Sequence, residues 1–175
     1  MQCWKSINID RQYGNQKIFF LSIMTMLVSF LAIFPFATLG YGATDFQDGH
    51  PLLFFGAIVL MYPLHKLLHG LPLVFVAKKL KLDFRHFAIK VNEPISKLLY
   101  LMALLTPFTV TSVLIFLFSA EFPEYFHYWS ILFSINTGMS LTDFLKVKSV
   151  VASPFKSFIE ESETGYEILV ENNNN

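Results

Sequence analysis

Two histidines, His65 and His69, stand four residues apart in the run MYPLHKLLHGLP (residues 61–72), with Lys66 directly after the first. On an α-helix, positions i and i+4 are about 40° apart around the axis and one turn apart along it, so two imidazoles at this spacing can meet one metal ion. A catalytic zinc usually takes three protein ligands and keeps a fourth position open, so a third donor has to come from elsewhere. SINTGMSLTDF (residues 134–144) offers one, since Asn136, Ser140 and Asp143 fall at i, i+4 and i+7 as a polar stripe on an otherwise apolar helix. A carboxylate at membrane depth costs roughly 2.5 to 3.5 kcal/mol near the bilayer centre and less towards an end, so Asp143 needs a partner or a cavity. The histidine pair is one such partner and Lys66 is another.

The elements that must carry these groups are membrane helices. Of 175 residues, 54% are hydrophobic, 17% aromatic and only 15% charged, and the mean hydropathy is +0.50. The apolar residues lie in long blocks, and a bilayer crossing needs about 20 of them in succession. The expected fold is an all-α integral membrane protein with four transmembrane helices, over residues 18–39, 52–70, 95–118 and 125–145. The first is too long for the apolar region of a cleaved signal peptide and reads as a retained helix. Pro107 is expected to bend the third, and Tyr125, Phe126, Tyr128 and Trp129 to form an interfacial aromatic belt at the start of the fourth. A short β-hairpin is expected in KLDFRHFAIKVNEP (residues 81–94) and a C-terminal strand in GYEILVE, both on the cytoplasmic side. Residues 1–170 then make a single membrane domain, followed by a disordered tail at 171–175.

Basic residues orient this set. Lys5, Arg11 and Lys17 precede the first helix, Lys78, Lys79, Lys81, Arg85, Lys90 and Lys97 fall between the second and third, and Lys146, Lys148 and Lys156 follow the fourth. The other two loops, residues 40–51 and 119–124, contain no lysine or arginine. By the positive-inside rule the protein is a multi-pass cell-membrane protein with both termini in the cytosol. Only Lys66 is left over. With 13 basic and 13 acidic residues, nothing argues for nucleic acid as a partner; the partners implied are the lipid bilayer and a membrane protein. The single cysteine, Cys3, cannot close an intramolecular disulfide, and His50, His86 and His127 read as surface or interface residues.

HKLLHG resembles the HExxH signature of zincins, and its pairing with a later helix bearing asparagine and aspartate resembles the site-2 proteases. The nearer resemblance is to a bacterial family of putative zincin peptidases of unknown function, supported by LLTPF (residues 104–108), NTGMSLTD (136–143) and EESETGYEI (160–168). It implies a zincin-like architecture, with zinc held by His65, His69 and Asp143 and with Asn136 and Ser140 in support.

Lys66 departs from that pattern. In HExxH enzymes the glutamate takes the proton of the attacking water and passes it on, which an ammonium cannot do. An ammonium about 6 Å from a dication, at an effective dielectric near 20, is also repelled by roughly 5 kcal/mol. Three readings follow: a catalytically impaired or non-proteolytic homologue that binds a membrane protein partner, an active intramembrane zinc metalloprotease with an unorthodox base, or a small transporter or ion-binding membrane subunit with a buried Lys66–Asp143 ion pair. A simpler alternative stands beside them, in which His65, His69 and Asp143 are hydrogen-bonded bundle residues without a metal.

Overall fold

A computed structural model describes residues 1–41, 49–74, 80–83, 88–91, 93–162 and 165–170. Three helices dominate it: α2 (Asn15–Tyr41), α3 (Pro51–Leu68) and α5 (Lys97–Glu121). Segments Asn15–Pro35, Pro51–Val74 and Lys97–Glu121 are each long and apolar enough to cross a membrane. None presents a polar face, and large apolar residues such as Phe19, Leu31, Val59 and Phe116 are exposed along them, as lipid-facing side chains are.

The expected fourth span, residues 125–145, is not one continuous helix. It divides at Ser140 into α6 (Phe126–Met139) and α7 (Leu141–Val151). The 14 residues of α6 extend only about 21 Å at 1.5 Å per residue, short of a ~30 Å hydrocarbon core. The Ser140 hydroxyl, fully buried, donates to the Asn136 carbonyl (2.8 Å) inside its own helix. Such back-bonding bends helices, and here it falls at the junction between α6 and α7.

The structure is mostly helical, and beside the helices stands a small antiparallel sheet with more strands than expected. Strands β1 (Gln2–Ile7), β4 (Ile95–Ser96), β5 (Ser157–Ser162) and β6 (Gly165–Val170) form one antiparallel sheet in the order β1-β6-β5-β4. The expected C-terminal strand is β6, but β1 and β5 carry no clear alternation of their own. Only Ile7 is buried in β1, and its register is set by pairing with β6, Ile7 opposite Tyr166. The hairpin forms from β2 (Leu80–Asp83) and β3 (Ala88–Val91), with Leu80 opposite Val91. Residues 84–87, with His86, and the tail at 171–175 lie outside the described residues.

Two apolar cores hold these parts together. One joins the sheet to the helix ends through Ile7, Tyr100, Leu104, Val150, Ile159 and Ile168. The other joins α3, α5 and α6 through Met61, Ile115 and Leu132. Between α2 and α5, helix α6 buries small and polar residues at alternate positions, Ser130, Ser134, Asn136 and Gly138, which lets backbones approach closely. A Cβ on Gly138 would come within 2.9 Å of the Ser22 carbonyl oxygen.

Candidate metal centre

Pro51 at the first turn starts α3, and the helix runs to Leu68 before α4 (Leu71–Val74) restarts the chain after Gly70. His69 is the residue that caps it, with φ −57° and ψ −33°, so helical geometry carries through both histidines. Their rings meet edge to face, 5.1 Å between centroids at 83°. His65 is 6% exposed and His69 half-buried.

Asp143 reaches the pair from the first turn of α7, where the helix dipole favours a carboxylate. It is 5% exposed. Its Oδ2 lies 3.0 Å from His65 Nε2 and 3.5 Å from His69 Nε2. One ligand atom from each residue can be chosen so that all three lie within 4.8 Å of one another. Donors about 2.0–2.1 Å from a tetrahedral zinc stand about 3.3–3.4 Å apart, and the two measured separations bracket that value. Two imidazole nitrogens and one carboxylate oxygen also suit zinc chemically.

The second nitrogen of each ring separates the two histidines. His69 Nδ1 donates to the Ala103 carbonyl at 2.8 Å. A carbonyl only accepts, so this bond places the proton on Nδ1 and leaves the Nε2 lone pair towards Asp143. That carbonyl is free because of Pro107, four residues further along α5, which has no N–H to give it. His65 Nδ1, by contrast, is buried without a hydrogen-bond partner among the described residues.

Of the other expected site residues, Asn136 and Ser140 are not in the His65, His69 and Asp143 group. The Asn136 amide donates to the Phe108 carbonyl (3.2 Å) and to Ser112 Oγ (3.0 Å), which ties α6 to α5. With the Ser140 bend, that bond fixes the direction from which α7 delivers Asp143. Thr106 and Thr109 bond back to their own helix carbonyls. Lys66 makes no ion pair with Asp143 among the described residues, which removes the pairing that the transporter reading requires. Its Nζ stands 5.8 Å from the centroid of the Tyr62 ring, one turn back on α3.

The cluster opens into a cavity of about 980 Å³ bounded by α2, α3, α5, α7 and the sheet. Lys66 lines it, and so do four residues that sequence reasoning did not single out: Tyr100, Lys146, Glu161 and Tyr166. The hydroxyls of Tyr100 and Tyr166 are buried and have no hydrogen-bond partner among the described residues. Tyr100 lies within electrostatic reach of both Glu161 and Asp143. On β6, burial pushes the Tyr166 phenol above its ordinary range. No local signal marks these residues, because the β5–β6 hairpin that carries Glu161 and Tyr166 reaches the cavity only through tertiary packing against α5.

A family model described as "Putative zincin peptidase" matches residues 58–158, from α3 into β5, including both histidines and Asp143. No curated protein and no solved structure matches the chain.

Proposed function

The chain belongs to the putative zincin peptidase family, and from that premise we propose that it is a membrane-embedded zinc-binding member, proteolytically disabled at Lys66. It acts by holding a membrane-associated polypeptide in the cleft that a protease would use for its substrate. The observation that carries this reading is the convergence of His65, His69 and Asp143 on one point. These three would hold the ion. Zinc bound there would polarise a substrate carbonyl and lower the pKa of a water in its open position.

The rest falls to the chain's own side chains. The Ala103 carbonyl orients His69, and the Asn136 and Ser140 bonds position Asp143. A general base is missing from the position after the first histidine, and acid–base help of that kind is typically worth about 100- to 10,000-fold in rate. The Lys66 ammonium, 5.8 Å from the centroid of the Tyr62 ring, has no lone pair with which to accept a proton. One observation favours the active-protease reading, namely that the Glu161 carboxylate borders the same cavity.

The sheet supports four crossings with both termini in the cytosol. Strand β1 precedes the first membrane helix, β4 lies between α3 and α5, and β5 and β6 follow α7, yet all four share one sheet. Segments in one sheet lie on one side of a membrane, so the crossings from β1 to β5 are even in number, and α6 with α7 supplies the fourth. Every lysine and arginine except Lys66 falls in these three segments or in the helix parts that adjoin them.

Metal analysis of the purified protein tests the reading. We expect about one zinc per chain, reduced at least about tenfold in His65→Ala and in Asp143→Ala. Wild-type protein without zinc would end both metal-based readings. Lys66→Glu is expected to cleave membrane-associated peptides that the wild type leaves intact, and equal cleavage by both would return Glu161 to consideration as the base.

A further inference from the structure

Lys66 changes the charge of the cavity as well as removing a base. Among the described residues, the charged side chains on its wall are Lys66, Lys146, Glu93, Asp143 and Glu161. A dication at the histidine cluster would add two positive charges beside them. With glutamate at 66 the same cavity would be more negative by two charges. A single substitution thus shifts the potential that an incoming group meets by two charges, towards attraction of an anion when lysine is present.

The hydroxyls supply the other half of the argument. Tyr100 and Tyr166 are 3% and 2% exposed, both line the cavity, and neither hydroxyl has a hydrogen-bond partner among the described residues. Glu161 is a polar neighbour of the Tyr100 hydroxyl and Ser149 of the Tyr166 hydroxyl. Buried hydroxyls are ordinarily satisfied, and an unmade bond inside a cavity is an open place for a ligand atom. Towards an oxyanion a phenol can only donate.

We propose that the cavity binds the C-terminal carboxylate of a polypeptide, with Lys66 as its counter-charge and the Tyr100 hydroxyl as a donor to it. This rests on the zinc-binding reading above and names the ligand of that same site. Peptide-bond hydrolysis turns an amide carbonyl into a carboxylate, so a protease-shaped cleft with an ammonium in place of its carboxylate base suits the product's end better than an uncut amide. A polypeptide is favoured over a fatty acid because the chain belongs to a peptidase family and its sheet lines one side of the cavity.

The test uses the full chain in detergent and a fluorescent apolar hexapeptide made with either a free C-terminus or a C-terminal amide, read by anisotropy. The free acid is expected to bind about tenfold more tightly than the amide. Lys66→Glu should abolish that preference and Lys66→Arg should retain it, while Tyr100→Phe should reduce it severalfold. Equal binding of acid and amide by the wild type, or a preference that survives Lys66→Glu, overturns the proposal. Dodecanoate binding with no hexapeptide binding overturns it in favour of a lipid ligand. Zinc measured on the same samples separates the two readings. An absent preference in zinc-loaded protein sinks this proposal alone, and a Lys66-dependent preference in metal-free protein supports the carboxylate site while removing the metal.

Discussion

The helix side and the sheet side of the cavity differ in how their polar groups are held. On the helix side, His65 Nε2 and Asp143 Oδ2 share a hydrogen bond and His69 is anchored to the Ala103 carbonyl with its Nε2 3.5 Å from the same carboxylate, while His65 Nδ1 has no partner among the described residues. On the sheet side, the Tyr166 hydroxyl and that of Tyr100, which packs against it from α5, have no hydrogen-bond partner among the described residues, and Glu161 faces the cavity. Side chains held from outside and by one another keep their geometry before any ligand arrives, which is what a metal centre needs. Open buried donors are tolerable only where something else completes them. The two sides also rest on different supports, one on membrane helices and the other on strands from both ends of the chain.

The largest expected effect separates those supports. A Cβ on Gly165 would overlap the Ile7 carbonyl oxygen, where β6 meets the end of β1. Backbone cannot yield as a flexible side chain can, so Gly165→Ala should cost about 3 kcal/mol and lower the midpoint of thermal unfolding in detergent by roughly 10 °C. Because the ligand set stands on α3 and α7, zinc content should persist while the preference for a free peptide C-terminus, which draws on the Tyr100 that packs against the strands, weakens. Loss of zinc together with the strand would show that the two sides are one unit.

Pro107→Ala strikes the helix side alone. Alanine restores an N–H at 107, the helix reclaims the Ala103 carbonyl, and His69 Nδ1 loses its anchor. Groups that orient a metal ligand are typically worth about 10- to 100-fold in metal affinity, so zinc should bind that much more weakly in a competition titration. The fold should hold or tighten, since a helical hydrogen bond is gained. Unchanged affinity would show that His69 is held by packing rather than by this bond.

The same contrast governs what could be read from the residues in order. The histidine spacing, the Asn136–Ser140–Asp143 stripe and the weakening of the helix at Gly70 are local features, and the structure brings His65, His69 and Asp143 together from them. The role of Pro107 was half legible, because a missing N–H frees the carbonyl four residues back by rule, but which donor takes that carbonyl depends on tertiary packing. The division at Ser140 was hidden because an apolar, small-residue segment reads as one helix until its serine bonds backwards. Strand β1 was hidden because QCWKSI shows no alternation, and its partner lies more than 150 residues away. Tyr100, Glu161 and Tyr166 were invisible as site residues because only tertiary packing of the β5–β6 hairpin against α5 brings them to the cavity.

The smallest effect tests the joint between the two sides. Lys97 begins α5 directly after β4, and its Nζ donates to the Val151 (3.0 Å) and Ser153 (2.6 Å) carbonyls at the end of α7. A cation at the first turn of its own helix is unfavourable, but at the C-terminal end of another it meets free carbonyls and the negative end of the dipole. The lysine therefore serves α7, the helix that presents Asp143, from the strand that edges the sheet. Lys97→Met keeps the stem and removes both bonds. Its site is partly solvated, so the expected loss is about 1 kcal/mol, or roughly 3 °C in unfolding midpoint. Zinc content and the acid-over-amide preference should both survive, because neither side loses a group that faces the cavity. If zinc affinity instead falls as far as it does in Pro107→Ala, the position of Asp143 depends on the far end of α7, and the metal centre extends mechanically across the whole helix.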